Sequence, residues 1–172
     1  GAANDVIFGY GGNDRLWGQA GSDTLYGGTG NDLIAGGNGN DYLYGDAGYD
    51  WLTAGTSDAT GADFASGGAG RDYYVIQTNT GNLVIDNFDM STPDNCTSCI
   101  TQKDAVRFNP GIVQKAAAPY LNNSDNVKFE TNGNDLFVKV ITGTTSTVTV
   151  LNYFKGIENM DLDFKFKDMP SP

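Results

Sequence analysis

Eight aspartates recur at a nearly constant interval in the first half of the chain. Six are nine residues apart, and two continue the series after a unit that is four residues longer. The members are Asp5, Asp14, Asp23, Asp32, Asp41, Asp50, Asp63 and Asp72. Carboxylates are hard oxygen ligands for divalent cations when a fold brings them together. The elements between the aspartates therefore decide what the series can bind.

Glycines keep the same nine-residue step. They recur at Gly9, Gly18, Gly27, Gly36 and Gly45, and three residues later at Gly12, Gly21, Gly30, Gly39 and Gly48. Each unit reads Gly-Gly-x-Gly-x-Asp-x-apolar-x, a known calcium-binding nonapeptide. Glycine accepts positive φ and lets backbone carbonyls approach one another closely. The six residues ending in Asp therefore predict a turn lined with oxygen.

A large apolar residue follows most of these aspartates at the second position. The residues concerned are Ile7, Leu16, Leu25, Ile34, Leu43, Leu52 and Tyr74. One apolar side chain between two more polar ones predicts a short strand whose middle residue faces inward. Alternating turns and strands predict an all-β fold, a right-handed parallel β-roll in which two nonapeptides complete one coil between two facing sheets.

Turns that are 18 residues apart stack in such a roll. Asp5, Asp23, Asp41 and Asp63 then share one edge, and Asp14, Asp32, Asp50 and Asp72 share the other. Two carboxylates and several carbonyls between stacked turns suit Ca²⁺, which takes six or more oxygens, better than Mg²⁺, which demands a stricter octahedron. Without a cation the stacked carboxylates would repel one another.

We therefore expect the cofactor to be Ca²⁺, held by the eight aspartates and by the turns between them. The predicted turn ligands are Gly9, Gly11, Gly12, Gly18, Ala20, Gly21, Gly27, Thr29, Gly30, Gly36, Asn38, Gly39, Gly45, Ala47 and Gly48. The weakest site should involve Asp63, because the extra residues at 56–61 distort its turn.

Charge and composition exclude several classes of function. The net charge is −11, and residues 1–72 hold ten Asp against Arg15 and Arg71. This balance disfavours nucleic acid and anionic membranes as partners. No apolar run predicts a membrane span, and the first residues lack the pattern of a signal peptide. The chain has no His, no nucleophile motif and no cofactor fingerprint, so we do not expect an enzyme.

The two cysteines, Cys96 and Cys99, form a Cys-Thr-Ser-Cys motif. Two further zinc ligands are not apparent, and the surroundings do not suggest a thioredoxin-like helix start. A short disulfide and two idle thiols both remain open.

The nonapeptides of residues 1–75 resemble the repeats-in-toxin (RTX) family of secreted bacterial proteins, which includes haemolysins, the adenylate cyclase toxin, proteases and large adhesins. The resemblance implies a roll that is unfolded at low calcium, leaves through a type I secretion channel and folds in external calcium. It implies a secreted, extracellular or cell-surface location. Gly1 falls at the second position of a unit, so we expect a fragment of a longer protein, and residues 168–172 carry no recognisable secretion signal.

Residues 76–172 lose the period and predict a mainly antiparallel β capping region. The predicted strands are 73–77, 83–87, 105–108, 127–130, 136–141 and 147–151. A solenoid needs such a cap over its last coil. We interpret Asn134 and Asp135 as turn residues.

Two functions compete. The first is a calcium-driven folding module that stabilises or helps export a larger toxin, adhesin or exoenzyme. The second is an adhesive module that binds a glycan or protein. It is motivated by Phe8, Tyr26 and Tyr44, which should form an outward ladder on one sheet, and by Trp17 and Trp51 on the other. Stacked aromatics can also simply stabilise a sheet.

Overall fold

The computed structural model describes residues 1–55, 62–77, 81–86, 105–108, 127–132, 135–142, 144–151 and 163–166, and within these ranges all elements are strands. The first nine are β1 (Val6–Phe8), β2 (Arg15–Ala20), β3 (Thr24–Thr29), β4 (Leu33–Asn38), β5 (Tyr42–Gly48), β6 (Trp51–Thr53), β7 (Ala62–Gly70), β8 (Tyr73–Ile76) and β9 (Asn82–Asp86). The others are β10 (Ala105–Phe108), β11 (Val127–Asn132), β12 (Asp135–Thr142), β13 (Thr144–Leu151) and β14 (Asp163–Phe166). In these ranges no helix could cross a membrane.

Consecutive strands of the repeat region alternate between two parallel sheets. The first sheet has the order β1-β3-β5-β7-β9-β13-β12-β11, and the second has the order β14-β10-β8-β6-β4-β2. Each pair of strands completes one coil, as the nine-residue period predicts, and the result is a parallel solenoid of about four turns. The predicted all-β roll is confirmed.

The register follows the repeat closely. Leu25 pairs with Ile7 and with Leu43 in the first sheet, in steps of 18 residues. Beyond β5 the step becomes 22, so that Leu43 pairs with Ala65. The described strands therefore keep the stacking of the coils across the longer unit.

The core is a single layer of apolar side chains between the two sheets. Leu25, Ile34 and Leu43 are 0% exposed, and the neighbouring apolar residues of β6, β8 and β9 are also buried. Full burial of each such side chain stabilises the fold by about 1.5–3 kcal/mol. Six of the residues that the repeat places two positions after Asp are buried, namely Leu16, Leu25, Ile34, Leu43, Leu52 and Tyr74, whereas Ile7 of the first coil is partly exposed.

The second half extends both sheets. The antiparallel pairing that we expected to predominate joins β11 to β12 and β12 to β13. β9, β10, β13 and β14 instead make parallel pairs, β9 with β7 and β13, and β10 with β8 and β14. The physical reason is that each last parallel strand of the roll offers a row of unpaired backbone groups, which the next strand can satisfy in the same direction.

Candidate metal centre

One oxygen of each stacked aspartate holds adjacent coils together. The backbone N–H of Asp14 donates to Oδ1 of Asp32 over 2.7 Å, and that of Asp32 donates to Oδ1 of Asp50 over 2.8 Å. On the other edge the same bond joins the series Asp5, Asp23, Asp41 and Asp63. The two predicted edges of the roll are therefore present as two ladders of carboxylates.

The other carboxylate oxygen is turned into the turn itself. Oδ2 is buried and makes no hydrogen bond in Asp14, Asp23, Asp32 and Asp50. A buried carboxylate oxygen without a partner costs several kcal/mol unless a cation or a proton neutralises it. The same environment recurs in turns on both edges of the roll. A series of bound cations, one beside each Oδ2, would therefore stabilise these carboxylates.

A backbone carbonyl of the next coil lies close to each of these Oδ2 atoms. If Gly9 is position 1 of a nine-residue unit, Asp14 is position 6. A methyl group built on Gly18 would lie within 3.0 Å of both Asp23 Oδ2 and the carbonyl oxygen of Gly36, the position-1 residue of the next coil. A methyl group built on Gly27 would likewise lie within 3.0 Å of Asp32 Oδ2 and of the carbonyl oxygen of Gly45.

This convergence recurs at Gly9, Gly36 and Gly45. Carboxylate and carbonyl oxygens from two adjacent coils therefore border one small space beside each position-1 glycine. No three His, Cys, Asp or Glu side chains gather into a metal-binding group in the described part of the chain. Further ligands would have to be backbone oxygens and water, a donor set that suits Ca²⁺.

The predicted ligands fall into distinct groups. Asp23, Asp32, Asp41, Asp50, Asp63 and Asp72 are buried. Asp14 is partly exposed, and Asp5 of the first coil is 43% exposed with its Oδ2 3.8 Å from the terminal amino group of Gly1. The position-1 carbonyls of Gly27, Gly36 and Gly45 converge with Asp carboxylates.

The position-3 carbonyls serve the stacking of the turns. Those of Thr29, Asn38 and Ala47 accept backbone N–H groups of the preceding coil over 2.8 to 2.9 Å. At position 4, a methyl group built on Gly30 would meet the carbonyl of Gly12, and the same relation joins Gly39 to Gly21 and Gly48 to Gly30. Each of these position-4 carbonyls lies against a glycine of the next coil.

Two ligand candidates were missed by sequence analysis. The carbonyl of Ala54 lies beside Asp41 Oδ2, and that of Gly67 lies beside Asp50 Oδ2, each within 3.0 Å of the methyl position on the facing glycine. Ala54 is nine residues after Gly45, so the period could have identified it despite the missing glycine. Gly67 is displaced by the longer unit.

A second polar ladder was also missed. At position 5 the backbone N–H of Asn31 donates to Oδ1 of Asn13 over 2.9 Å, and that of Tyr49 donates to Oδ1 of Asn31 over 2.9 Å. These bonds run in the opposite direction to those of the Asp ladder, because here the side chain of the earlier coil accepts. The recurrence of Asn4, Asn13, Asn31 and Asn40 was the available signal.

Burial changes the acidity of Asp50. The pKa of this carboxyl is raised from 3.8 to about 7, mainly because burial removes it from water. The negative charges of Asp72, Asp32 and Asp46 also raise the pKa, whereas a backbone hydrogen bond from Asp32 lowers it. In the absence of metal, the carboxyl of Asp50 therefore holds a proton at a higher pH than an ordinary Asp, and a cation would take the place of that proton.

Several predictions concern residues outside the described ranges. Cys96, Cys99, Asn134 and the extra residues at 56–61 all lie there. Asp135 is described, and it begins β12.

Residues 1–25, 17–52 and 57–75 match the family model of the RTX calcium-binding nonapeptide repeat, in four copies. These segments are RTX calcium-binding repeats. The resemblance and the Ca²⁺ cofactor predicted from the sequence are confirmed. A search of the curated proteins found no match to the chain.

Two solved structures are similar to it. One is a subunit of the mannuronan C5-epimerase from Azotobacter vinelandii, with a TM-score of 0.49, 22% identity, and coverage of 93% of this chain and 83% of that one. The other is the extracellular lipase LipA from Serratia marcescens, with a TM-score of 0.33, 15% identity, and coverage of 96% of this chain and 39% of that one.

Proposed function

We propose that this chain is a calcium-binding module that folds on meeting extracellular Ca²⁺ and stabilises, or assists the export of, a larger secreted bacterial protein. The observation that carries the proposal is the set of buried, unpartnered Oδ2 atoms of Asp14, Asp23, Asp32 and Asp50. Their burial costs free energy in the empty roll, and a bound cation would remove that cost.

The ion between two stacked turns would take Oδ2 of the position-6 aspartate and the position-1 carbonyl of the next coil, for example Asp32 and Gly45. The remaining predicted turn carbonyls at positions 3 and 4, and water, would complete the oxygen shell that Ca²⁺ prefers. A bound Ca²⁺ supplies the positive charge that lets the stacked carboxylates remain ionised in the interior.

Folding and binding would be coupled through the same side chains. Asp32 uses Oδ1 to hold the turn of Asp14, and its Oδ2 would hold the ion. An ion that binds only the folded roll shifts the equilibrium toward it. The charge and glycine content of residues 1–72 favour a disordered chain in the absence of calcium.

A dependence on external calcium suits a secreted protein. Affinities on the order of 10⁻⁴ to 10⁻³ M are typical of extracellular calcium modules, and they would leave the roll unfolded in a low-calcium cytosol. Passage of the parent protein through a type I secretion channel in that unfolded state belongs to the proposal. Residues 76–172 would then cap the roll of residues 1–75, a role supported by the pairing of β9 with β7 and of β10 with β8.

Far-UV circular dichroism during a Ca²⁺ titration from chelator, with Mg²⁺ as the matched control, tests this function. A steep transition from coil to β structure with Ca²⁺ alone is the expected result. Full β structure in chelator, unchanged by Ca²⁺, would mean that the core and the cap hold the roll, and would refute calcium-driven folding.

The aromatic ladder of the first sheet supports a structural role for these side chains. The rings of Phe8, Tyr26 and Tyr44 stack with centroids 4.9 Å apart and interplanar angles of 6° and 8°. Their faces are turned toward one another, so a ligand approaching the sheet would meet only ring edges and hydroxyl groups. Such stacks add stability beyond the burial of apolar area, and the adhesive hypothesis finds better support on the second sheet.

A further inference from the structure

The outer face of the second sheet carries two adjacent rows of side chains. One row contains Arg15, Leu33, Trp51 and Tyr73, and the other contains Trp17, Ala35, Thr53 and Val75, each in register from β2 to β8. We call these eight residues the indole face, because both tryptophans of the chain lie on it. Large side chains fill the first row. The second has one large residue, Trp17, beside the small Ala35 and Thr53.

Trp17 is the most accessible ring of this face. It is 53% exposed, and no aromatic ring contacts it among the described residues. Trp51, by contrast, packs against Tyr73 with ring centroids 4.8 Å apart, and the guanidinium of Arg71 lies 5.3 Å from the centre of the Tyr73 ring. The indole of Trp17 therefore offers a flat apolar surface, and the small side chains of Ala35 and Thr53 beside it leave room for a ligand.

The charge of this face is opposite to that of the rest of the roll. Arg15 and Arg71 are the only basic side chains in residues 1–86, and neither row contains an acid. Arg15 is exposed and makes no ion pair within the described part of the chain. An accessible guanidinium beside a free indole is complementary to a ligand that combines carboxylates with apolar C–H surface.

We propose that the indole face binds an acidic polysaccharide chain, with a sugar ring stacked on Trp17 and a carboxylate paired with Arg15. A pyranose ring needs only a flat aromatic surface and polar groups at its rim, and this face provides both. An extended peptide would instead add to the free sheet edge that β2 offers in the described part of the chain, through backbone hydrogen bonds that need neither a ring face nor a guanidinium.

The occupant must be longer than one sugar. Trp17 lies on β2 and Trp51 on β6, two strands apart, which is about 10 Å at the usual strand spacing. A chain that runs along the solenoid axis can reach both. The proposal requires the calcium-folded roll, so folding is measured in the same samples.

The probe is a hexamer of galacturonate, added to the full chain at a fixed free calcium concentration. Because both tryptophans lie on the indole face, tryptophan fluorescence reports binding there directly, and calorimetry gives the affinity of the variants. Cellohexaose is the neutral control, and a poly-glutamate peptide tests an acidic protein partner. We expect the galacturonate hexamer alone to bind and to change the fluorescence, and added salt to weaken it.

Trp17→Ala should weaken the binding about tenfold or more. Arg15→Gln should weaken it and reduce its salt dependence. Tyr42→Ala is the matched control, since Tyr42 is a 51% exposed aromatic on the other sheet, and it should leave the affinity unchanged.

Three outcomes would overturn the proposal. They are no binding by a chain whose circular dichroism shows normal calcium folding, equal binding of cellohexaose or poly-glutamate, and equal losses in Tyr42→Ala and Trp17→Ala. An absence of binding by a chain that folds normally in calcium would refute the polysaccharide site but not calcium-driven folding. A failure of calcium to fold the chain would instead refute the function proposed above.

Discussion

Asp14 and Asp32 lie one coil apart, and the backbone N–H of Asp14 donates a 2.7 Å hydrogen bond to Oδ1 of Asp32. The second oxygen of Asp32 is buried without a hydrogen-bond partner, beside the space that the carbonyl of Gly45 also borders. One carboxylate thus ties two coils together and presents a charge to the space between turns. This division of roles would couple the proposed ion binding to the stacking of the coils.

Asp32→Asn separates these two roles. The amide can still accept the N–H of Asp14 through its oxygen, but the charge is lost. We expect the calcium concentration at the folding midpoint to rise about tenfold or more. In chelator the same variant should be more folded than the parent chain, because a buried charge has been removed.

Circular dichroism in calcium and in chelator measures both effects. Asp46→Asn is the matched control, since it removes the same charge from an exposed residue at positive φ, which Asn tolerates. If the two variants behaved alike, net charge would explain the effect, and the assigned role of Asp32 would be wrong.

Asp63→Asn should have a smaller effect on the calcium midpoint than Asp32→Asn. Oδ1 of Asp63 accepts the N–H of Asp41 over 2.9 Å as in the other coils, but its turn contains the extra residues. A site with a distorted turn contributes less binding free energy, so its loss costs less. Titration of the two variants side by side compares them, and a larger shift for Asp63→Asn would contradict this ranking of the sites.

Gly27→Ala should block one ion site. The added methyl group would meet both Asp32 Oδ2 and the carbonyl of Gly45 within 3.0 Å, in the space that we propose for the ion. We expect one fewer calcium ion per chain in calorimetry or equilibrium dialysis, together with a less cooperative transition.

Gly12→Ala is the control for backbone strain. A methyl group there has nothing within 4 Å, but φ is +115°, so the variant carries only the conformational penalty of about 1–3 kcal/mol. It should be destabilised yet keep the calcium stoichiometry of the parent chain. Unchanged stoichiometry in Gly27→Ala would exclude this space as an ion site.

The metal-free roll should become more stable as the pH falls. The pKa of Asp50 is raised from 3.8 to about 7 in the fold, mainly by desolvation and further by the charges of Asp72, Asp32 and Asp46. Folding therefore takes up a proton, and the stability gained in acid is lost as the pH rises through about 7. Calcium-free circular dichroism should show more β structure below this pH than above it. Loss of structure on mild acidification would contradict the prediction.

The side chain of Tyr74 accepts a backbone hydrogen bond from β7. Its hydroxyl accepts the backbone N–H of Gly67 over 2.8 Å and lies 3.5 Å from the carbonyl of Asp86, inside the core. Tyr74→Phe would leave the Gly67 N–H buried without this acceptor, which costs about 1–3 kcal/mol. Urea unfolding in saturating calcium measures the loss, and Tyr42→Phe at an exposed position should be nearly neutral. Equal stability of the two variants would rule out this role for Tyr74.

The repeat made most of the roll predictable. The positions of Asp23, Leu25 and Gly27 follow directly from a nine-residue period, because each residue type satisfies a local need for an oxygen ligand, an apolar core side chain or a tight turn. The same period predicts the two edges of stacked aspartates and the outward stack of Phe8 on Tyr26, and the structure contains both.

The rest depended on contacts between coils, which a linear pattern does not specify. The two oxygens of Asp32 look equivalent in the sequence, and only the stacked turns distinguish them. The parallel pairing of β10 with β8 depends on which backbone groups the last coil leaves open. The ladder from Asn13 to Asn31 follows the period, but Asn is so common in turns that its recurrence alone does not indicate a ladder.

Anomalous diffraction from crystals grown in calcium tests the central claim most directly. We expect peaks between stacked turns, each about 2.3–2.6 Å from an Oδ2 such as that of Asp32 and from a position-1 carbonyl such as that of Gly45. Peaks confined to exposed carboxylates, with the spaces beside Asp23 and Asp32 free of metal, would contradict the account.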